Sequence, residues 1–306
     1  MKTELNKKPI YTIPRVKFIV ILFALFCFST SAQSSKNANL NTPARKEVDV
    51  FGAKIRYMEA GNSDAPNLIL LHGLGASSES WLMNIAKLAE NYHVIAPDMV
   101  GFGKSDKPFL KYRIGTFADF MDKFMSELKL EKASFVGNSL GGWVAAKIAV
   151  DYPERIEKLV LVDSAGLEPN KVDISKIYRL NNSTRAEIRE NMKLMFASPI
   201  LQNNAALVDQ FMTQRVKAGD GFTIESVTNS ILRGEDFLDE TVATVKVPTL
   251  IIWGKQDGIL PFEDAARFNA LIKGSELELF EGCGHVPQFE CAPKFNVTLE
   301  KFLSKN

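Results

Sequence analysis

Phe135-Val136-Gly137-Asn138-Ser139-Leu140-Gly141-Gly142 is the stretch whose reading decides the fold. The apolar run over 133–136 reads as a buried strand, and the spacing over Leu140–Asp151 reads as a helix. Between them stands Gly-x-Ser-x-Gly. In a strand–turn–helix setting this pattern has a mechanical meaning. Glycines on either side let the backbone turn sharply, so Ser139 is lifted above the C-terminal end of its strand. The start of the helix then offers backbone N–H groups to a developing anion. Ser139 is the candidate nucleophile, and Leu140 N–H is one candidate oxyanion donor.

Outward from this turn the same alternation repeats. Short strands are expected over 48–51 and 54–59 with Gly52 at the turn, then over Asn67–Leu71, 93–96, 159–162, 249–253 and 277–280. Most are continuous apolar runs, the pattern of parallel strands buried on both faces. Helical spacing fills the gaps over 79–90, 116–128, 263–272 and 293–303. The expectation is an α/β fold: a mostly parallel, eight-stranded sheet with helices on both faces. Residues 47–165 and 243–306 would form this core. Residues 166–242 break the alternation, with helical patterns over 177–182, 185–196, 205–218 and 223–232 and no strong strand. A helical insertion of this kind reads as a cap over the site. Its Met192, Met195, Phe211 and Met212 are candidates to line an apolar substrate pocket, because methionine adapts to irregular shapes.

Three more loops follow strands and carry chemistry. Leu71-His72-Gly73-Leu74-Gly75 offers Leu74 N–H as the second oxyanion donor. Trp253-Gly254-Lys255-Gln256-Asp257 places a carboxylate where it can orient a histidine. Gly282-Cys283-Gly284-His285 places the histidine. The chain has 3 histidines, and His72 and His93 read as structural, which leaves His285 as the base. Ser139, Asp257 and His285 occur in the triad order expected for this type of turn. Asp163, at the end of the strand over 159–162, is the alternative acid.

Composition removes other classes. Lys+Arg 37 against Asp+Glu 36 leaves a net charge of +1 in 306 residues, so a dedicated nucleic-acid binder is not expected. Three scattered cysteines and three scattered histidines form no metal-ligand spacing, so neither a metal nor a cofactor is expected. The N-terminus has its own character. Lys2, Lys7, Lys8, Arg15 and Lys17 precede the apolar run 18–28, and Ser29-Thr30-Ser31-Ala32-Gln33 follows. That is the order of a secretory signal peptide, with cleavage expected after Ala32. The run is shorter than the roughly 20 residues of a spanning helix, and an uncleaved anchor is the alternative. Residues 33–46 read as a flexible tether. Export permits a disulfide between Cys283 and Cys291, but two buried free thiols are the expectation.

With these residues in place, the chain resembles the α/β-hydrolase family over nearly all of the mature sequence. His72-Gly73, the stretch from Ala96 to Pro108, the Ser139 turn and the Asp257 and His285 loops carry the resemblance. The Pro97-to-Pro108 stretch is similar to dehalogenases, epoxide hydrolases and carbon–carbon bond hydrolases of ring-cleavage products. The first two groups use Asp as nucleophile, where this chain has Ser139. The segment from Cys283 to Glu290, Asn138 and Arg215 of the cap resemble the third group. Two features depart from it: Val286 stands where tryptophan is common, and Leu74-Gly75-Ala76 replaces a Ser/Gly/Pro-rich loop. The resemblance implies a serine hydrolase of carboxylic esters, which the leader would make an exported one, acting on a small-molecule ester with an apolar acyl group. Carbon–carbon bond cleavage is the alternative, and a noncatalytic binding protein on the same fold is the reading from another class.

Overall fold

The computed structural model describes residues 41–169 and 180–305. The eight expected strands are present: β1 (Ala44–Val50), β2 (Ala53–Ala60), β3 (Asn67–Leu71), β4 (His93–Pro97), β5 (Ala133–Asn138), β6 (Ile156–Val162), β7 (Thr249–Gly254) and β8 (Glu276–Phe280). They form one sheet in the order β1-β2-β4-β3-β5-β6-β7-β8. The β1–β2 and β2–β4 pairs are antiparallel and every later pair is parallel.

Helices cover both faces. In chain order they are α1 (Ile85–Leu88), α2 (Ile114–Glu127), α3 (Leu140–Asp151), α4 (Arg185–Met195), α5 (Pro199–Gln202), α6 (Ala205–Ala218), α7 (Gly221–Leu232), α8 (Glu263–Leu271), α9 (Pro287–Glu290) and α10 (Ala292–Leu303). Side chains alternate across the sheet as the pleat demands. Ile69, Leu71, Phe135, Leu161 and Ile251 join Phe117, Trp143 and Phe268 of α2, α3 and α8 in one layer. Leu68, Leu70, Val136, Val162 and Ile252 join Leu88 of α1 and Phe295 and Leu299 of α10 in the other.

Three local expectations are corrected. Strand β1 begins at Ala44, inside the stretch read as a tether, and pairs from Ala44↔Glu59 to Val50↔Ala53. It is an edge strand with most of its side chains exposed, so its start has no apolar signal. The helix expected over 79–90 is a 3-10 turn, Ser78–Trp81, followed by the four-residue α1. Buried Asn84 lies between them, and its Nδ2 donates to Gln288 O at 3.1 Å and to Asn296 Oδ1 at 2.7 Å. This bridge to the C-terminal helices holds the chain at the break. Cys283 and Cys291 are disulfide-bonded rather than free. Helix α9 turns the chain back so that their Cα atoms are 6.2 Å apart, within bridging range.

The cap consists of α4–α7. Ile188, Met192, Phe196 and Val208 form a small apolar cluster of its own, whereas Ile224 and Val227 of α7 belong to the core layer. The signal-peptide reading of 1–32 and the first half of the helix read over 177–182 lie outside the described residues, and 180–182 form no helix. Among the described residues no helix is long and apolar enough to cross a membrane.

Candidate active site

Ser139 stands on the turn between β5 and α3 with φ 56° and ψ −118°. A side chain other than glycine is strained there by about 1–3 kcal/mol. The surroundings impose the conformation. Ser139 N–H donates to Val162 O at 3.0 Å, and Ser139 O accepts from Gly142 N–H at 3.0 Å. A Cβ on Gly137 would collide with the Gly141 backbone, and one on Gly141 with the carbonyls of Leu71 and His72. Only glycine lets strand, helix and the β3 loop approach so closely.

His285, the base expected from the sequence, lies on the loop after β8. His285 Nδ1 donates to Asp257 Oδ2 at 2.8 Å. A carboxylate only accepts, so Nδ1 carries the proton and Nε2 is left to receive one. The Asp257 side chain has no solvent exposure. Its other oxygen accepts N–H bonds from Ile259 at 2.7 Å and Leu260 at 3.1 Å, which hold the carboxylate in place. Neighbours from both layers fix the histidine backbone: its N–H donates to Met195 O at 2.8 Å, and Asn138 Nδ2 donates to His285 O at 3.0 Å.

The β3 loop crosses beside the nucleophile, where a Cβ on Gly73 would lie 3.3 Å from Ser139 Cβ. The two expected oxyanion donors are Leu74, the next residue of that loop, and Leu140, which opens α3 directly after Ser139. His72 is a brace for this loop. Its Nδ1 donates to Gly73 O at 2.8 Å and its Nε2 accepts from Met99 N–H at 3.0 Å. Complete burial pushes the His72 imidazole below its usual pKa, in keeping with a neutral ring. His93 bonds Glu59 of β2 at 2.7 Å and Asn67 of β3 at 2.9 Å, at the start of β4 and away from Ser139.

Residues 66–226 match the family described by the α/β hydrolase fold. The chain is an α/β-hydrolase. A 2-hydroxy-6-oxo-6-(2'-aminophenyl)hexa-2,4-dienoic acid hydrolase of Metapseudomonas resinovorans is 34% identical over 275 residues, covering 84% of this chain and 90% of that protein. Among solved structures, a putative lipase of Acinetobacter baumannii is 25% identical with a TM-score of 0.78, covering 92% of this chain and 98% of its own. A bacterial membrane phospholipase A is 27% identical with a TM-score of 0.76, covering 89% of each chain.

In this hydrolase the acid loop and the base loop both touch the end of α4. Gly258 N–H donates to Leu194 O at 2.9 Å, beside the His285–Met195 bond. Glu290 completes a clasp between cap and core. Its carboxylate accepts N–H bonds from Ala197 at 3.1 Å, Ser198 at 2.7 Å and Gly284 at 2.8 Å. The sequence reading gave Glu290 no such role, because nothing local marks a glutamate as an acceptor for two N–H groups more than 90 residues away.

The proposed pocket residues divide. Met192 is fully buried inside the cap's cluster, so it packs rather than lines a pocket. Met195, Phe211 and Met212 are half-buried against that cluster together with Val286, the residue after the base. Arg215 approaches the oxyanion loop, its Nη1 lying 3.6 Å from where a Cβ on Gly75 would be. The guanidinium is already paired with buried Asp220 and donates to Asn181 Oδ1 at 2.7 Å.

Asp163, the alternative acid, is not the partner of His285. Its Oδ1 accepts Gly254 N–H at 2.8 Å. Ligand-type atoms of Asp163, Asp257 and His285 lie within 4.8 Å of one another, the kind of group that can hold a metal ion. Here Asp257 and His285 are already bonded to each other through Nδ1.

Proposed function

We propose that this hydrolase cleaves carboxylic esters through an acyl-enzyme. The observation that carries the reading is the oriented pair His285–Asp257 with Ser139 held on its strained turn. His285 Nε2 takes the Ser139 proton as Oγ attacks the acyl carbonyl, and the oxyanion is held by the N–H groups of Leu74 and Leu140. The tetrahedral intermediate expels the alcohol, which leaves with the proton from His285. Water then attacks the acyl group, again with His285 as base, to release the acid and restore Ser139.

A second reading, carbon–carbon bond cleavage, has support from the dienoic acid hydrolase relative and from the position of Arg215 above Gly75. A carboxylate-bearing substrate needs a cation to receive it, and Arg215 is held by Asp220. That pairing, with the lipase and phospholipase neighbours, favours a neutral ester. The deciding experiment sets a panel of p-nitrophenyl acyl esters beside a vinylogous diketone ring-cleavage product. Ester turnover that Ser139→Ala abolishes supports the proposal, and turnover of the diketone alone selects the second reading. No reaction with a fluorophosphonate probe would select a noncatalytic binding protein.

We also propose that residues 1–32 are a cleaved export leader. The Cys283–Cys291 disulfide supports an oxidising destination. Protein starting at Gln33 should be soluble and active. An N-terminus within 1–30 on exported protein would refute cleavage after Ala32.

A further inference from the structure

We propose that Asp163 is a positioning residue that lies beneath the triad as a neutral carboxylic acid and directs its proton toward Asp257. This role rests on the serine-hydrolase reading of the site, but its chemistry does not depend on which bond is cleaved.

Asp163 is fully buried, with no solvent exposure. It ends β6 in a left-handed conformation, φ 41°, unusual for any residue but glycine. Its backbone is fixed there, since Asp163 N–H donates to Ile252 O at 2.9 Å. The titratable groups facing the side chain are Asp257, from the loop after β7, and His285, from the loop after β8. Two carboxylates this close and this dry do not both ionise, because burial and mutual repulsion act in the same direction.

The hydrogen bonds decide which one keeps the proton. Asp257 has three N–H donors: Ile259, Leu260 and His285. Asp163 has one, from Gly254 to Oδ1, and its buried Oδ2 has no hydrogen-bond partner. Ionisation is therefore stabilised at Asp257 and left unsupported at Asp163. Burial first, and the charge of Asp257 second, push the Asp163 carboxyl well above the usual carboxylate range. A proton on Oδ2 gives that orphaned oxygen a use as a donor. It places a fourth donor around Asp257, steadying the carboxylate that orients His285. The triad then carries one negative charge rather than two.

The test uses the full chain and three proteins: wild type, Asp163→Asn and Asp163→Ala. Asparagine keeps both functions, since its carbonyl can accept from Gly254 and its amide can donate to Asp257. Alanine removes both. The first readout is the rate of Ser139 labelling by a fluorophosphonate across pH, which does not require the natural substrate. Expected is Asp163→Asn within about threefold of wild type with its acid limb at the same pH, and Asp163→Ala slower by roughly tenfold or more. The second readout is infrared difference spectroscopy at neutral pH. A protonated-carboxyl C=O stretch should be present in wild type and missing from Asp163→Asn.

An ionised Asp163 would behave differently. Its negative charge would favour the imidazolium of His285, so removing it in Asp163→Asn would move the acid limb to lower pH. That movement, or the absence of the infrared band from wild type, would overturn the proposal. Alanine labelling as fast as wild type, or asparagine as slow as alanine, would overturn it as well. If no protein labels at all, the serine-hydrolase reading fails, and the infrared band still decides where the proton is.

Discussion

The core keeps Leu68, Leu70, Ile251 and Ile252 almost wholly out of water in two continuous layers, whereas the cap outside α7 has a cluster of four fully buried residues, Ile188, Met192, Phe196 and Val208. The two regions differ in what they can hold still. The proposed triad residues and oxyanion donors all follow directly on the C-terminal ends of core strands, in their loops or at the start of α3, where a close-packed sheet fixes positions. The cap reaches that machinery through a few backbone bonds from α4 and through Glu290. Precision is built into the large layer, and adaptability is left to the small one.

The largest effect expected on this contrast comes from the core site itself. Ser139→Ala or His285→Ala should lower kcat/KM by about a thousandfold or more, with little change in Tm. Near-wild-type kcat/KM in His285→Ala would mean that the base is misassigned.

A pair of glycines sharpens the comparison next. Gly141→Ala in the core turn should cost about 3 kcal/mol, because its Cβ meets fixed backbone carbonyls. Gly219→Ala at the end of α6 has a left-handed φ of 61° but open space around it, and should cost about 1 kcal/mol. Denaturant unfolding measures both, and equal losses would erase the distinction between the two regions.

Removing the disulfide by Cys283→Ser with Cys291→Ser should cost about 2–3 kcal/mol, the value for so short a closed loop. Because the bridge flanks His285, Ser139 labelling should also slow. Unchanged stability and labelling would show that the loop is held without it.

In the cap, Met195→Ala, Phe211→Ala and Met212→Ala should shift relative kcat/KM along an acyl-length series by about 1–3 kcal/mol each, with Ser139 labelling preserved. An unchanged chain-length profile in all three would reduce them to packing, as Met192 already is.

The smallest expected effect is a slope of stability against pH. Asp163 keeps its proton in the folded chain above the pH at which it ionises in the unfolded chain. The unfolded state therefore gains as pH rises through that window, and wild type should lose stability relative to Asp163→Asn, by at most about 1.4 kcal/mol per pH unit. Parallel stability curves for the two proteins would contradict this.

Much of this was legible because its signals are local. All eight strands could be read, the central parallel ones as continuous apolar runs, and the glycines around Ser139 announce a turn that only they allow. Edges and long-range partners leave no such trace. The start of β1 is polar because it faces water, and Asn84 breaks a helical pattern by reaching residues more than 200 positions away. Spacing could propose Asp163 or Asp257 as the acid, but only the fold shows which carboxylate bonds Nδ1 of His285. Likewise, methionines at helical spacing look the same whether they face a pocket, as proposed for Met195, or a cluster, as Met192 does. Two cysteines eight residues apart carried no sign that α9 would fold them together.

The two ends of the cap meet. Leu238 N–H donates to Gly166 O at 2.9 Å, so the chain leaves the core and returns through a single hydrogen-bonded doorway. The doorway closes the insertion into a loop, while Ile224 and Val227 of α7 pack into the core layer and the carbonyls of Leu194 and Met195 bond the loops that carry Asp257 and His285. Closing a loop costs entropy that grows with the logarithm of its length, about 0.6 kcal/mol for each doubling. The stretch of α5 and α6 makes none of those bonds, so changes of length there add little to the closure cost borne at β6 and β7. New specificities can thus be tried on this scaffold by varying that stretch while the contacts of α4 and α7 with the core are kept.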